Sequence, residues 1–257
     1  MGRLSEPEPD VAAPVGIARL ETGLPALDAI LGGGLPRRSV TVIAGPPGTG
    51  KTILAQQICF HGASPARRAL YFSTLSEPMA KTLLYAGQFG FFDAKKLEDG
   101  VEFVDLGGIA WTGGLEEATG QIVAHVERVS PAVVVVDSFR VFDDFAGSRQ
   151  DLRKFGYDLA VKLMVQGCTS LLLGEYAGEE VRSNPIFSII DGVIVLRRPR
   201  VAGQRRRFIE VLKMRGTAHS LDAHPFEITG SGIAIEAPGA AGRRGIATAN
   251  RPTRDRR

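Results

Sequence analysis

Cysteine is scarce in this chain: Cys59 and Cys168 are the only two among 257 residues, and each stands alone in an apolar setting. That excludes a disulfide framework or a cysteine-held metal, and predicts two reduced, buried thiols in a cytoplasmic protein. Long apolar runs are missing as well. None approaches the roughly 20 residues that a membrane span needs, so no membrane partner is predicted. The start, MGRLSEPEPD, is acidic and contains proline, unlike a secretory leader. A strong charge of one sign is also absent. The formal net charge is +3, and Arg243, Arg244, Arg251, Arg254, Arg256 and Arg257 against Asp255 contribute +5 of it, leaving −2 for everything before them. The basic character therefore belongs to the tail and says little about the folded body.

What is present is an alternation of apolar runs with amphipathic ones. Residues 1–15 and 239–257 have little to bury and are predicted to be disordered, the second as a basic tail. Between them, 16–238 reads as one domain. Strands are predicted at Val40–Ala44, Ala69–Ser73, Val101–Val104, Val133–Val136 and Ser170–Gly174. Helices are predicted from Lys51 to about His61, from Glu77 to Phe89, over Leu115–Val129 and over Asp151–Gln166. Strands with continuous apolar runs, set between helices, predict an α/β fold with a mostly parallel central sheet covered on both faces. After Gly174 the pattern changes. Gly192–Leu196 and Arg207–Leu212 flank RRPRVAGQR, and Phe226–Ile228 and Ile233–Ile235 flank Thr229-Gly230-Ser231-Gly232, which predicts C-terminal β-hairpins.

Gly45–Thr52, GPPGTGKT, fits G-x-x-x-x-G-K-[ST] in full, directly after an apolar strand and before a helix. In this pattern Gly45, Pro46, Pro47, Gly48, Thr49 and Gly50 turn backbone N–H groups inward around phosphates, and the helix N-terminus adds its positive dipole end. Lys51 is predicted to reach the β- and γ-phosphates of ATP, and the Thr52 hydroxyl to bind Mg²⁺. VVVVDS at Val133–Ser138 is an apolar strand ending in an acid, as a Walker B strand does, which makes Asp137 the second magnesium residue. Ser138 is either a supporting donor or a turn former.

The stretches TGLPALDAILGGGLPRRSVTVIAGPPGTGKT, LYFSTLSE, VVVVDS and RRRFIEVLKMRGTAHSLDAHPFEITGSGIAI together resemble the KaiC circadian-clock ATPases and their single-domain relatives in the RecA-like P-loop superfamily. The resemblance runs from about Thr22 to Ile235. It implies a RecA-like domain, a ring-shaped homo-oligomer (a hexamer is one size) and ATP bound between neighbouring subunits. Clock KaiC carries two such domains in tandem, and this chain has one. The resemblance places the family's pair of water-activating glutamates at Ser76 and Glu77, so one carboxylate is kept and one is replaced by a hydroxyl. Glu77 is then either the general base or an acid capping the following helix. KMRGTAH at Lys213–His219 resembles the segment that reaches the neighbour's nucleotide. By that resemblance Lys213 and Arg215 contact the γ-phosphate in trans, with Thr217 and His219 beside the nucleotide. Leu221 stands where clock KaiC has a further lysine.

Three functional readings follow. The leading one is a slow, homo-oligomeric regulatory or signalling ATPase with a protein partner. The second is a DNA-dependent ATPase resembling RecA and RadA. For it, the arginines 197, 198, 200, 205, 206 and 207 form a candidate phosphate strip, but no aromatic residue interleaves them. The segment Ala177–Asn184, in the place of a DNA loop, carries Glu179 and Glu180 against Arg182, so nucleic acid is not favoured. The third is an autokinase. Ser188 is nearest the acceptor position, and its neighbours Ile186, Phe187, Ile189 and Ile190 predict that it is buried and not phosphorylated.

Overall fold

The computed structural model describes residues 16–74 and 78–236. Ser76, Glu77 and the two terminal segments therefore fall outside the described residues. In chain order the elements are β1 (Arg19–Leu20), α1 (Pro25–Ile30), β2 (Leu35–Pro36), β3 (Val40–Ala44), α2 (Lys51–Phe60), β4 (Ala69–Ser73), α3 (Met79–Ala86), α4 (Lys96–Asp99), β5 (Val101–Asp105), α5 (Gly107–Val129) and β6 (Val133–Asp137). A 3₁₀ turn over Phe139–Asp144 leads to α6 (Arg149–Val165), β7 (Thr169–Gly174), α7 (Glu179–Ser183), α8 (Ile186–Ile189), β8 (Gly192–Arg197), β9 (Arg200–Val201), β10 (Gln204–Arg205), β11 (Arg207–Met214), β12 (His224–Thr229) and β13 (Gly232–Ile235).

Nine strands form one sheet in the order β13-β12-β11-β8-β3-β7-β6-β4-β5. From β8 to β5 all pairings are parallel, and β11, β12 and β13 add on antiparallel. The α/β class read from the sequence is the one found. Period-two alternation sorts the strand residues into two cores. Ile43, Tyr71, Val133, Val135, Leu171 and Leu173 pack with Leu54 and Ile58 of α2, whereas Val42, Phe72, Val134, Val136 and Leu172 pack with Ile122 of α5 and Leu159 of α6. Cys59 lies in the first core and Cys168 in the second, and both thiols are free. Burial pushes the Cys168 thiol up to about 11.

The parallel arrangement fixes where chemistry can occur. Ala44, Ser73, Asp137, Gly174 and Arg197 all end their strands at one edge of the sheet. The glycine-rich turn after β3 and the acid closing β6 therefore meet there, outside the carboxyl ends of the strands. Met214 pairs with Gly192, and the Arg215 N–H donates to the Asp191 carbonyl at 2.9 Å. The end of β11 thus lies at the opposite edge.

Candidate functional site

The sequence after β3 folds as a phosphate cradle for local reasons. At Gly45 (φ 152°) a Cβ would stand 2.3 Å from the Leu196 carbonyl oxygen of β8, so only glycine lets the chain pass there. Thr49 Oγ1 donates to the Pro46 carbonyl at 2.9 Å and braces the loop. Lys51 is buried, and its Nζ donates to the carbonyls of Gly45 at 2.9 Å and Pro46 at 3.1 Å. The ammonium therefore already points into the turn. Burial lowers the Lys51 pKa, while the charges of Glu175 and Asp137 pull it back up.

Thr52 and Asp137, 85 residues apart in sequence, are joined directly: Thr52 Oγ1 donates to Asp137 Oδ2 at 2.7 Å. The same carboxylate oxygen accepts the Tyr71 hydroxyl at 2.6 Å. Tyr71 is fully buried, and burial followed by the adjacent Asp137 charge raises its pKa well above the ordinary tyrosine value. The turn behind Asp137 is pinned to β4. The Thr74 N–H donates to the Asp137 carbonyl at 2.8 Å, the Ser138 N–H to Thr74 Oγ1 at 2.9 Å, and Thr74 Oγ1 to the Ser138 carbonyl at 3.1 Å. Ser138 Oγ donates to the Leu173 carbonyl at 3.3 Å, so its hydroxyl braces the sheet edge.

A cavity of about 560 Å³ opens over these groups. Gly48, Gly50, Lys51, Thr52, Tyr71 and Asp137 line it, together with Ser73, Arg140, Asp144, Glu175 and Ile228. Sequence reasoning missed Tyr71, Arg140, Asp144 and Glu175. Two of them had a signal: Glu175 directly follows an apolar strand, as Asp137 ends one, and Tyr71 is the one hydroxyl-bearing side chain amid ALYF. Oxygen donors converge at the cradle mouth, with a helix N-terminus and a buried lysine opposite. Such a site suits a polyphosphate and a hard divalent cation held by Thr52 and Asp137. Glu77 lies outside the described residues.

Lys213, Arg215 and His219 are not brought to this cavity. Lys213 Nζ donates to the carbonyls of Ile190 at 2.6 Å and Phe187 at 3.1 Å. Arg215 donates to the carbonyls of Ile189 at 3.1 Å and Ser188 at 3.2 Å. Both cations thus hold the C-terminal end of α8, where helix carbonyls point outward. Burial, then the neighbouring Arg215 charge, lowers the Lys213 pKa. The segment beyond them packs on the start of the chain. The Ser220 N–H donates to the Ile30 carbonyl at 2.8 Å, and Arg19 donates to Thr217 Oγ1 at 2.7 Å. A Cβ at Gly32 would lie 2.8 Å from the Ala218 carbonyl oxygen, which accounts for one glycine of the GGG run. His219 Nδ1 lies 3.0 Å from the Ser220 carbonyl, and Leu221 is 84% exposed.

Two expectations need correction. Ser188 is exposed, not buried, and its Oγ donates to the Pro185 carbonyl at 2.8 Å. The one-turn helix α8 directs Ile186, Phe187 and Ile190 inward and leaves Ser188 outside. The Ala177–Asn184 segment is not a bare loop. It contains α7, and Glu180 within it is paired with Arg140 at 3.2 Å.

Comparison with known proteins agrees with this geometry. Residues 20–240 match the protein family described as "ATPase: KaiC". A UPF0273 protein of Methanopyrus kandleri is 32% identical over 240 residues, covering 86% of this chain and 92% of that one. The circadian clock oscillator protein KaiC of Rippkaea orientalis is 31% identical over 242 residues, but these span only 44% of that longer protein. Among solved structures, a KaiC-like protein of Pyrococcus horikoshii superposes with a TM-score of 0.75 at 27% identity, covering 86% of this chain and 99% of that one.

Proposed function

The chain belongs to the KaiC ATPase family, and from that premise we propose that it binds ATP with Mg²⁺ and hydrolyses it slowly at borders between copies of itself, as a regulatory ATPase. The observation that carries this reading is the Thr52–Asp137 bond at the mouth of the cradle, with Lys51 aimed at the same point. Lys51 and the helix N-terminus bind the phosphates. Thr52 and Asp137 hold the cation, which supplies charge neutralisation at the β- and γ-oxygens when bound. Glu77 orients the attacking water. Lys213 and Arg215 serve the site of the adjacent copy, and a ring closes the arrangement.

Steady-state phosphate release with and without Mg²⁺ tests the activity. Glu77→Gln is expected to keep ATP binding and to lower kcat by about 10²–10⁴, the usual contribution of a general base. An unchanged kcat would make Glu77 a helix-capping residue only.

Tyr71 adds a prediction that the sequence did not suggest. Its hydroxyl donates to the carboxylate that is assigned to the cation. Groups that orient a metal ligand in this way are typically worth about 10–100-fold in metal affinity. Tyr71→Phe keeps the ring in place, and is expected to weaken Mg²⁺ binding to the ATP complex by about tenfold while ATP affinity without the metal is unchanged. Titrating Mg²⁺ against a fluorescent nucleotide measures both.

The exposure of Ser188 beside Arg215 favours a second reading, phosphoryl transfer to this hydroxyl of an adjacent copy. Intact-mass measurement after incubation with ATP decides it: the gain of one phosphoryl group mapped to Ser188 establishes the transfer, and an unchanged mass leaves hydrolysis alone.

A further inference from the structure

A second cavity, of about 720 Å³, lies away from the nucleotide site between α6 and α8. Arg149, Arg153, Lys154 and Tyr157 line it from α6, and Pro185 and Ile189 from the α8 side. We propose that this cavity binds single-stranded nucleic acid, with the three cations on backbone phosphates and a base stacked on Tyr157.

Several independent features converge on that ligand. Residues 149, 153 and 157 follow one another at i, i+4 spacing, so they form a stripe along one side of α6. Arg153 and Lys154 are exposed and have no acidic partner within ion-pairing distance among the described residues, so their charge is not spent on the fold. The Arg149 guanidinium donates to the Ser183 carbonyl, which keeps it at the cavity rim. Two acids stand on the helix: Asp151 is turned to the N-cap, where its Oδ2 accepts from Ser148 Oγ at 2.7 Å, and Asp158, half-buried and next to Tyr157, forms no ion pair with these cations and is not part of the cavity lining. Among the described residues, no carboxylate lines the cavity. Tyr157 is 57% exposed beside these cations. A ring left in water next to unpaired cations is what a phosphodiester chain with protruding bases requires, because every base has a face to stack.

The arginine-rich hairpin lacks this pairing of cation with aromatic. The acids of the 177–184 segment, for their part, are not all free to repel phosphate, since Glu180 is held by Arg140. The face also adjoins the neighbour-facing edge: Ile189, whose carbonyl accepts from Arg215, is one of its walls.

The test is fluorescence anisotropy with a labelled 20-nucleotide oligo-dT and its oligo-U counterpart, on full-length protein in which the six tail arginines are replaced by glutamine. That background removes the tail as a competing polycation. The oligonucleotide is expected to bind still. Arg153→Ala/Lys154→Ala is expected to weaken it about tenfold or more and to lessen the steepness of log K against log salt by about 1.4, or about 0.7 for each phosphate that is no longer neutralised. Tyr157→Ala is expected to weaken binding about fivefold or more at unchanged salt slope, and Tyr157→Phe to restore it. All of these side chains are exposed, so melting temperatures should match the parent.

The proposal is overturned if binding disappears with the tail arginines or is indifferent to the three substitutions. It is also overturned if free ATP or AMP displaces the oligonucleotide, which would make this a mononucleotide site, or if the variants alter only the mass of the oligomer, which would make the face a contact between copies. Lys51 plays no part here. Oligonucleotide binding by Lys51→Ala would therefore stand even if ATP hydrolysis were not found in the wild type.

Discussion

Replacing Lys51 with alanine is expected to weaken ATP binding by about 100-fold or more while leaving the fold intact. The ammonium is buried and donates to the Gly45 and Pro46 carbonyls, so it is held at the mouth of the turn before any phosphate arrives. A triphosphate replaces those neutral acceptors with charged oxygens. Hydrogen bonds to charged groups are worth about 1.5–3 kcal/mol each, so losing two removes about 3–6 kcal/mol, or about 10²–10⁴ in affinity. The side chain lies in neither hydrophobic core, so its truncation opens no cavity there. Calorimetric titration with ATP, paired with a thermal melt, separates the two effects, and equal affinity in wild type and variant would rule out the cradle as the phosphate site.

The same lysine gives the binding a pH dependence whose sign is fixed. Burial lowers its pKa in the free protein, and a bound polyphosphate favours the charged form and raises it. Between those two values binding takes up a proton. Affinity should therefore fall as pH rises through the lowered lysine value, and the alkaline fall should be missing in Lys51→Ala.

Much of this was legible in the sequence because burial on both faces leaves an unambiguous mark. Ala69–Ser73 and Val133–Asp137 are continuous apolar runs in the chain and adjacent strands in the sheet. GPPGTGKT and the terminal Asp137 are legible as a pattern, and the structure brings the two together through Thr52. Failures cluster where tertiary contacts override local pattern. Within α5 the predicted Leu115–Val129 helix follows directly after Gly114, and what was missed is the helical piece that precedes it from Gly107, because GGIAWTGG reads as a turn. The backbone registers the conflict at Gly114, where φ 66° and ψ −161° break the helix. The short helices α7 and α8 have no period long enough to detect. Side chains from elsewhere hold them: Asp143 Oδ2 accepts from Nδ2 of Asn184, the C-cap of α7, at 2.8 Å, and Lys213 and Arg215 take the last carbonyls of α8. Tyr71 and Glu175 carried only a local mark and were passed over for a related reason. Their roles arise from strand order, β4 beside β6 and β7 beside β3, and one chain's residue pattern does not state that order.

Co-assembly of two inactive variants is expected to restore ATP hydrolysis. Lys51→Ala has a defective cradle but an intact Lys213/Arg215 edge, and Arg215→Ala the reverse, so each alone should hydrolyse ATP poorly. The fold gives this a geometric basis. Arg215 donates from its N–H to Asp191, and the Asp191 N–H donates to Val40 at the start of β3, whereas the cradle follows Ala44 at that strand's other end. Five residues of strand at about 3.3 Å each put about 16 Å between the two. An arginine side chain reaches less than half that distance, and this one points toward the α8 carbonyls. A chain cannot place its own Arg215 on its own nucleotide without dismantling the sheet. If Arg215 acts on γ-phosphate at all, it acts on that of another copy. A cation so placed stabilises charge spreading over the γ-oxygens and is worth about 10³–10⁵ in rate, so restored borders should be measurable even when they are a minority. Variants co-expressed with different tags and purified through both provide the mixed oligomer. Recovery of a substantial fraction of wild-type turnover places Arg215 in trans. Mixed oligomers as inactive as either parent, beside active doubly tagged wild type, would end the proposal of a site shared between subunits.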